Sequence, residues 1–590
     1  PAEREKRIAA LEQAIEASGK RELDSFVAAL SGRYIPSGSG NDPIRNPDSL
    51  PTGKNFYSFD PAFVPSSGTY NTGKKLAQEL IEGYRKRHGV YPDKLTFNIW
   101  ATETIRHEGV MESQIMYLMG VRPKWDERGR VQGVETIPRT ELGRGRIDVT
   151  MVPSGLYRDL FPNLMDLLDK AVSSARDQQE EDNLIRNNVE KTRRMLLAKG
   201  IPEEKAQRLA SVRIFTEPSG AYGTGLDKVI VASNTWDTEK QVIDVYFMRM
   251  SHLYGQGFWG DSGEHKGQKL GDTLLKNALS GSKIAIHSRS SNVIATLDND
   301  DFFQYLGGTA MAIRSVDGKS PEVFVTNLTN PKKPVQETLE KMMGREMRSR
   351  YLNPEWIKSM MKEGYAGARF VDKVTEHLWG WQVTVPEAVD AAKWQEMHET
   401  YVLDRNGLGI KDMFRKSKNM WAYQSVVARM LETVRKQYWK PDQQVVENLA
   451  EEYAKSVQEV GLACCDHTCN NPQLTEFATA TLLSVPGLKP LAPGFRQALQ
   501  NMKQPDAGKR GQQGKQSAAQ ITAEPSKQGS NGAAPDGSGK AAKGKQVEGF
   551  EMKEAGSQQS GAVSAPIPWL FMLGFAGVVA LIGIGFRRKG

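Results

Sequence analysis

The stretch from Thr96 to Pro123 sets the strongest limit on how this chain folds. It opens with a short apolar run, Phe97-Asn98-Ile99-Trp100, that suits a buried strand. It closes with a helix on which Met111, Ile115, Leu118 and Met119 share one face. Between the two lie Thr102, Glu103, Thr104, Arg106, His107, Glu108 and Gly109. Open α/β sheets bind their ligands where a strand meets a helix through such a turn, at the carboxyl ends of the strands. Two carboxylates, a guanidinium and an imidazole fall within six residues here. That set can bind a metal, move protons or hold an anionic substrate. The same residues also suit an ordinary helix start, with Thr102 or Thr104 as cap and Glu103 and Glu108 against the helix dipole.

The pattern recurs along the chain. A helix over about 72–88 leads into the strand, and further strands are expected at 131–138 and 147–152. The second of these ends in Ser154-Gly155-Leu156-Tyr157-Arg158-Asp159, another polar turn before a helix. In a parallel sheet both turns open on the same edge. Alternating strands and helices argue an α/β fold built of parallel-sheet units with helical insertions. A chain of 590 residues exceeds one core. The expected organisation is a helical lead-in (1–30), an α/β unit (31–165), a helical insertion (166–212), a second α/β unit (213–335) and a helical region (336–500). A polar tether (501–566) and an apolar segment (567–586) follow.

Other polar concentrations stand apart. The 31–55 stretch, rich in Gly, Pro and Asn, is expected to be an ordered loop that lines something. The mixture His252-Leu253-Tyr254-Gly255-Gln256-Gly257-Phe258-Trp259-Gly260 suits a flat apolar ligand, or a turn packed by its own aromatics. After a strand ending at His287 comes Ser288-Arg289-Ser290-Ser291. Asp298, Asp300 and Asp301 follow, three carboxylates that suit a hard cation or a proton acceptor, or an acidic helix start with Asp298 as cap. His377 and Trp381 lie on apolar helical faces and are expected in the core. The Gly-rich stretch around 220–225 lacks the Lys-Ser/Thr of a phosphate loop.

All three cysteines fall in Cys464-Cys465-Asp466-His467-Thr468-Cys469. Soft ligands packed this tightly suggest a metal or redox site on Cys464, Cys465, His467 and Cys469. A disulfide to Cys469 is the alternative in an oxidising compartment. From about 503 to 565 the chain has hardly any apolar residue and suits a disordered tether. Ile567 to Phe586 then runs about twenty residues without charge, followed by Arg587, Arg588 and Lys589. That is the pattern of a transmembrane helix with a cytoplasmic end, which places the bulk of the chain on the extracytoplasmic side. A cytosolic, tail-anchored arrangement is the alternative. The net charge of +8 is modest and sits largely in the tail, so no nucleic-acid surface is expected. Residue 1 is Pro, so the chain is expected to be processed or part of a longer one.

Four segments carry a family resemblance. SGRYIPSGSGNDPIRNPDSLPTGKNFYSFDP (31–61), NIWATETIRHEGVMESQIMYLMGVRP (98–123), ELGRGRIDVTMVPSGLYRDLFP (141–162) and NPEWIKSMMKEGYAGA (353–368) resemble the large subunit of the metal–tetrapyrrole chelatases. That family includes the CobN-type cobaltochelatase and the magnesium chelatase H subunit. The resemblance runs from about 25 to 460, and the RHEGVMESQ wording is nearer the CobN type. It implies insertion of a divalent metal into a corrin or porphyrin, cobalt first, with magnesium or iron as other candidates. It also implies ATP hydrolysis on separate AAA+ subunits.

The large subunits are about twice this long and carry an upstream His- and Glu-containing motif that is absent here. This chain therefore resembles their C-terminal half and would be one part of a split enzyme or a fragment. The anchor suggests a second reading: an extracytoplasmic protein of haem uptake that removes iron from haem or only carries a tetrapyrrole. On the resemblance, the ring lies in a cleft walled by the 32–55 loop and the Tyr254–Trp259 loop. Glu103, His107 and Glu108, faced by Asp298, Asp300 and Asp301, would take the pyrrole protons. Arg33, Arg45, Arg106, Arg158 and Arg289 would clamp the ring carboxylates.

Overall fold

The computed structural model describes residues 2–43, 46–57, 59–463 and 471–501. The Cys/His cluster at 464–469, Arg45, the tether and the apolar run 567–586 lie outside the described residues. Among the described residues no helix is long and apolar enough to cross a membrane.

Helix α1 (Ala2–Leu30) leads in. The short strands β1 (Ser37–Ser39) and β2 (Asn55–Tyr57) pair in parallel across the 31–55 loop. Helix α2 (Ser67–His88) starts under a Ser66 cap and stops at left-handed Gly89. Strand β3 (Lys94–Ile99) follows, then α3 (Ala101–His107) and α4 (Val110–Met119). The antiparallel pair β4 (Val121–Trp125) and β5 (Val131–Thr136) forms a separate ribbon. The remaining strands are β6 (Asp148–Pro153), β7 (Ile214–Thr216), β8 (His252–Gly255), β9 (Phe258–Asp261), β10 (Ile284–Arg289), β11 (Glu322–Asn327) and β12 (Val335–Thr338).

Eight of these strands build one sheet in the order β12-β11-β10-β3-β6-β7-β8-β9. This corrects the expectation of two α/β units. The 31–165 stretch supplies β3 and β6, the 213–335 stretch supplies β7 to β11, and the two are woven together. The reason lies in the strands themselves. β3, β6 and β10 are buried throughout, so none of them can serve as an edge. The five central strands, β11 to β7, run parallel, and β12, β8 and β9 close the flanks antiparallel. The aromatic and glycine stretch at 252–260, expected as a loop, is the hairpin β8–β9, turned at Gln256 and Gly257 with φ of 54° and 79°.

Alternation divides the core. Leu95, Phe97, Ile99, Ile284 and Ile286 pack with Leu80, Ile81, Ile115 and Met119 on one face. Ala285, Phe215 and Val325 pack with Tyr246, Phe303, Met311 and Trp381 on the other. The region from 339 to 501 is helical, as expected, and adds its apolar residues to this second face.

The amino ends of the strands are closed by charge. Asp148 is fully buried, 2.7 Å from Arg213 Nε and 4.0 Å from Lys94 Nζ. Burial alone raises its carboxyl pKa, but Arg213 and Lys94 outweigh burial and hold it below the usual aspartate value. The stability this adds is present above the unfolded-state pKa and is lost as pH falls through the lower folded value. Asp148→Ala leaves two buried cations without their partner. Urea unfolding is expected to show a loss of about 3–5 kcal/mol near neutral pH, and a loss below about 1 kcal/mol would mean the pair does not hold this edge.

Candidate functional site

The chain leaves β3 toward β6 on one side, whereas it leaves β10 toward β11 on the other. The carboxyl ends of β3 and β10 therefore flank the topological switch point, where open sheets of this kind form their binding crevice. Trp100 and α3 rise from one lip of this crevice, and Ser288 to Ser291 from the other. Ser154, whose backbone N–H donates to the Ile99 carbonyl at 2.9 Å, starts the neighbouring helix on the same edge.

Glu103 is buried at this crevice. Its Oε1 accepts from Ser290 Oγ at 2.8 Å and from Arg106 at 3.3 Å, so it joins the two lips. The Ser290 backbone N–H and the Ser288 hydroxyl also favour its ionised form, and its buried Oε2 shows no well-formed hydrogen bond among the described residues. Burial raises the Glu103 carboxyl pKa, against the opposing pull of the Ser290 hydroxyl and Arg106. One turn behind it, Thr104 donates to Glu112 at 2.7 Å, and Tyr157 donates to the same oxygen at 2.9 Å. Glu112 is likewise buried with a raised pKa, from burial.

An aromatic wall stands beside these acids. Trp100 lies 4.1 Å from the His287 ring, 4.8 Å from Phe302 and 6.0 Å from Tyr305, centroid to centroid. Phe303–Gly307 is a π-helical turn, a geometry frequent at functional sites. Gly307 and Gly308 let it pack. A Cβ at Gly307 would stand 2.4 Å from Thr384 Oγ1, and one at Gly308 2.7 Å from Leu226. Tyr305 donates to buried Glu217 and accepts from the Gly223 N–H. Gln304 donates to Asp301 at 3.1 Å and accepts from the Thr224 N–H at 3.0 Å. The acidic loop is thereby tied to the turn after β7.

The sequence candidates separate under this geometry. Glu103 and Arg106 are together in the crevice, and Asp301 stands near Asp300, Asp227 and Glu217. His107 is buried, but its Nδ1 accepts from the backbone N–H groups of Gly109 and Val110, so it caps the start of α4. Glu108 is exposed, in a left-handed conformation that turns α3 into α4. Asp298 is spent on structure: it accepts from Arg350 at 2.8 Å, Tyr351 at 2.5 Å and the Ala295 N–H at 2.6 Å. Asp300 is half-buried.

The arginine clamp is revised. Arg158 is fully buried and donates to Asp159 and to the carbonyls of Glu217, Pro218 and Ala221, so it fastens the loop after β7. Arg289 is buried against Glu346 and the Ile294 carbonyl. Both have their donors taken up inside the protein because their side chains lie under the loops they were expected to face. Arg33 is exposed on the N-terminal loop. Tyr254 is buried with its hydroxyl on the Glu217 carbonyl at 2.7 Å, while Trp259 is 48% exposed and packs edge-on against Tyr254 at 5.2 Å. Sequence reasoning passed over Trp100, His287, Ser290, Glu112, Glu217 and Tyr305. The strand-end positions of the first three were the available signal. His377 and Trp381 are buried in the core, as expected. Among the described residues no group of three or more His, Cys, Asp or Glu is arranged to hold a metal.

A family model described as CobN/Magnesium Chelatase matches residues 2–446. The chain belongs to the CobN/magnesium chelatase family. It is 32% identical over 434 residues to the aerobic cobaltochelatase subunit CobN of a Sinorhizobium species, covering 73% of this chain and 33% of that one. It is 32% identical over 440 residues to the chloroplastic magnesium-chelatase subunit ChlH of Oryza sativa subsp. japonica, covering 74% and 30%. The catalytic subunit of cobaltochelatase from Mycobacterium tuberculosis superposes with a TM-score of 0.67 at 30% identity, covering 75% of this chain and 37% of that one. The chain thus spans about a third of the length of these relatives. The family resemblance seen in the motifs is shown by these matches, and the crevice described above lies within the matched residues.

Burial, then the carboxylates of Asp300, Asp227 and Glu217, push the Asp301 pKa up to about 6. A folded-state pKa above the unfolded one means that ionising Asp301 costs stability, and the cost grows as pH rises from about 4 toward 6. Asp301→Asn removes it. The variant is expected to melt higher than the wild type at neutral pH and level with it below the ordinary aspartate pKa of about 3.9. Equal melting at both pH values would place Asp301 in solvent.

Proposed function

We propose that this chain is the part of a metal–tetrapyrrole chelatase that carries the proton-accepting edge of the active crevice, and that its reaction is insertion of cobalt into a corrin ring. The observation that carries the reading is the switch-point crevice. It sets carboxyls of raised proton affinity, buried Glu103 and half-buried Asp301, near the mutually tilted rings of Trp100, Phe302 and Tyr305, of which Trp100 is the partly exposed one, in a member of a chelatase family.

Metal insertion replaces two pyrrole protons by one divalent ion. Those protons need acceptors whose pKa is close to the working pH, which is where burial moves carboxyls. Aromatic side chains give a planar macrocycle a stacking surface. Glu103 Oε2, which shows no well-formed hydrogen bond among the described residues, is the oxygen proposed to take the proton. Among the described residues, Arg106, paired with Glu103, is the guanidinium proposed to meet an anionic ring substituent.

Cobalt is preferred to magnesium on the motif wording and on the solved relative, whose name is that of a cobaltochelatase. The haem-uptake alternative draws no support from relatives named as cobalt and magnesium chelatases. The remaining two thirds of the relatives' length and an ATP-hydrolysing partner are proposed to complete the enzyme.

The test is cobalt insertion into a metal-free corrinoid by the reconstituted assembly, followed by absorbance. Glu103→Gln is expected to lower kcat about 10²–10⁴-fold, the range for losing a general acid–base group, while ring affinity stays close to wild type. Unchanged turnover in a folded variant would remove Glu103 from the reaction. Failure of every assembly to bind a tetrapyrrole would overturn the proposed function itself.

A further inference from the structure

Helix α1 takes no part in the crevice and little in the core: from 3 to 30 none of its residues is buried. One face is fastened to the loop before β2. Ser25 donates to the Gly53 carbonyl at 2.6 Å, and Ser18 Oγ accepts from the Thr52 N–H at 3.1 Å. Beside that face runs a stripe of large apolar residues, Ile8, Leu11, Ile15, Leu23, Val27 and Leu30, with Gly19 in the middle. Ile15 is 60% exposed and Leu23 69%, and Phe26 stands at the edge of the stripe, also exposed. Helices draw most of their stability from packing an apolar face, and here that face is open to solvent. A contiguous apolar stripe of this kind marks a docking surface. The steps from Ile8 to Leu30 are 3, 4, 4, 4, 4 and 3 residues, the same read from either end.

We infer that α1 is a dimerisation helix, docking antiparallel on α1 of a second copy of this chain about a two-fold axis at Gly19. In a two-fold interface, residue i of one copy meets j of the other and j meets i. An axis at Gly19 sets Ile8 against Leu30, Leu11 against Val27 and Ile15 against Leu23, each pair twice, so every large residue of the stripe meets a large one. Gly19 meets itself, with no side chain to hold the helix axes apart, and a Cβ there would find nothing within 4 Å in its own chain. The body of the chain is fastened to the carboxyl half of α1, through Ser18 and Ser25. A parallel pair would crowd two bodies together, whereas an antiparallel pair sends them to opposite ends. Charge also fits a second copy. The helix carries six acidic and five basic residues, so two copies do not repel, whereas a helix made for a lipid surface is rich in Lys and Arg. Glu16 and Lys20 share one flank, and the axis brings each near the other of the second copy. A partner of unrelated sequence, such as the remaining length of a chelatase large subunit, gives no reason for a stripe that reads alike from both ends. Asn41 of the fastened loop donates to the Ile105 carbonyl of α3 at 3.3 Å, so the dimer braces a loop that touches the crevice. The pairing itself needs neither ring nor metal and stands apart from the proposed function.

The experiment is sedimentation equilibrium of the full chain at micromolar concentration, with near-UV circular dichroism to confirm folding. The wild type is expected to be a dimer. Ile15→Glu and Leu23→Lys, taken singly, are each expected to weaken the dimer by at least about a hundredfold, since symmetry removes two apolar contacts at once. The double variant Ile15→Glu/Leu23→Lys sets Glu against Lys twice in the antiparallel register and is expected to recover at least about tenfold over either single variant. In a parallel pair the same double variant would face like charges and weaken further. Val90→Glu, which charges an exposed apolar residue between α2 and β3, is expected to keep the dimer. Both substituted positions are exposed, so the variants are expected to fold. A monomeric wild type overturns the inference and leaves a lipid surface or the remaining length of the large subunit as the occupant. Association that survives Leu23→Lys, that is lost in Val90→Glu, or that the double variant fails to recover overturns it as well. A monomer that still inserts cobalt in the reconstituted assembly would keep the proposed function and lose only the dimer.

Discussion

The parallel pairing of β3 with β6 on one side and β10 on the other is the constraint from which the rest follows. It buries β3 on both edges and both faces. With its backbone fully engaged, β3 can meet solvent or ligand only at its two ends, and the chain treats these ends differently. At the amino end, Asp148, Arg213 and Lys94 satisfy one another, and Lys94 also donates to the carbonyls of Asn277 and Ser280. At the carboxyl end, Glu103, Glu112, Trp100 and His287 each keep a polar atom without a well-formed hydrogen bond among the described residues. Buried polar groups are normally satisfied, so a concentration of exceptions at one end of one strand is informative. It is the edge on which the proposed function rests.

Charge on this edge divides into what holds and what is held ready. Arg158 and Arg289 looked like ligand clamps because they follow strands β6 and β10. Their guanidinium groups point back into the protein, where each fastens a loop through carbonyls and a carboxylate. Five fixed donors make arginine suited to that task. Asp298 and His107 act in the same way, one binding Arg350 and Tyr351 and the other capping α4. With these residues committed to structure, Glu103 and Asp301 are the carboxyls on which the proposed function rests.

This division explains how far the sequence could be followed. Apolar runs bounded by polar turns placed β3, β6, β10 and β11, because a strand buried on both faces has no alternation to blur. The common edge of the 101–109 and 153–159 turns was legible for the same reason. The weaving of two stretches into one sheet was not, since strand order depends on long-range pairing that leaves no local mark. Nor was the hairpin at 252–260, where Gly and aromatic residues suit a loop as well as an edge pair. Within the site, residue type marked Glu103 and Asp301. It did not mark Ser290, Trp100 or His287, whose importance comes from which strand lies beside which.

Burial acts on the acids and on the imidazole in opposite directions, and the crevice uses both effects. Low polarity disfavours the charged form of any group, so it raises Glu103, Glu112 and Asp301 and lowers His287. Near neutral pH the carboxyls become better proton acceptors, while the buried imidazole stays neutral. A single physical cause, the enclosure of the β3–β10 edge by Trp100, Phe302 and the acidic loop, produces them together. Opening that enclosure would therefore lower the proton affinity of the acids and raise that of the imidazole at once, even with every side chain still in place.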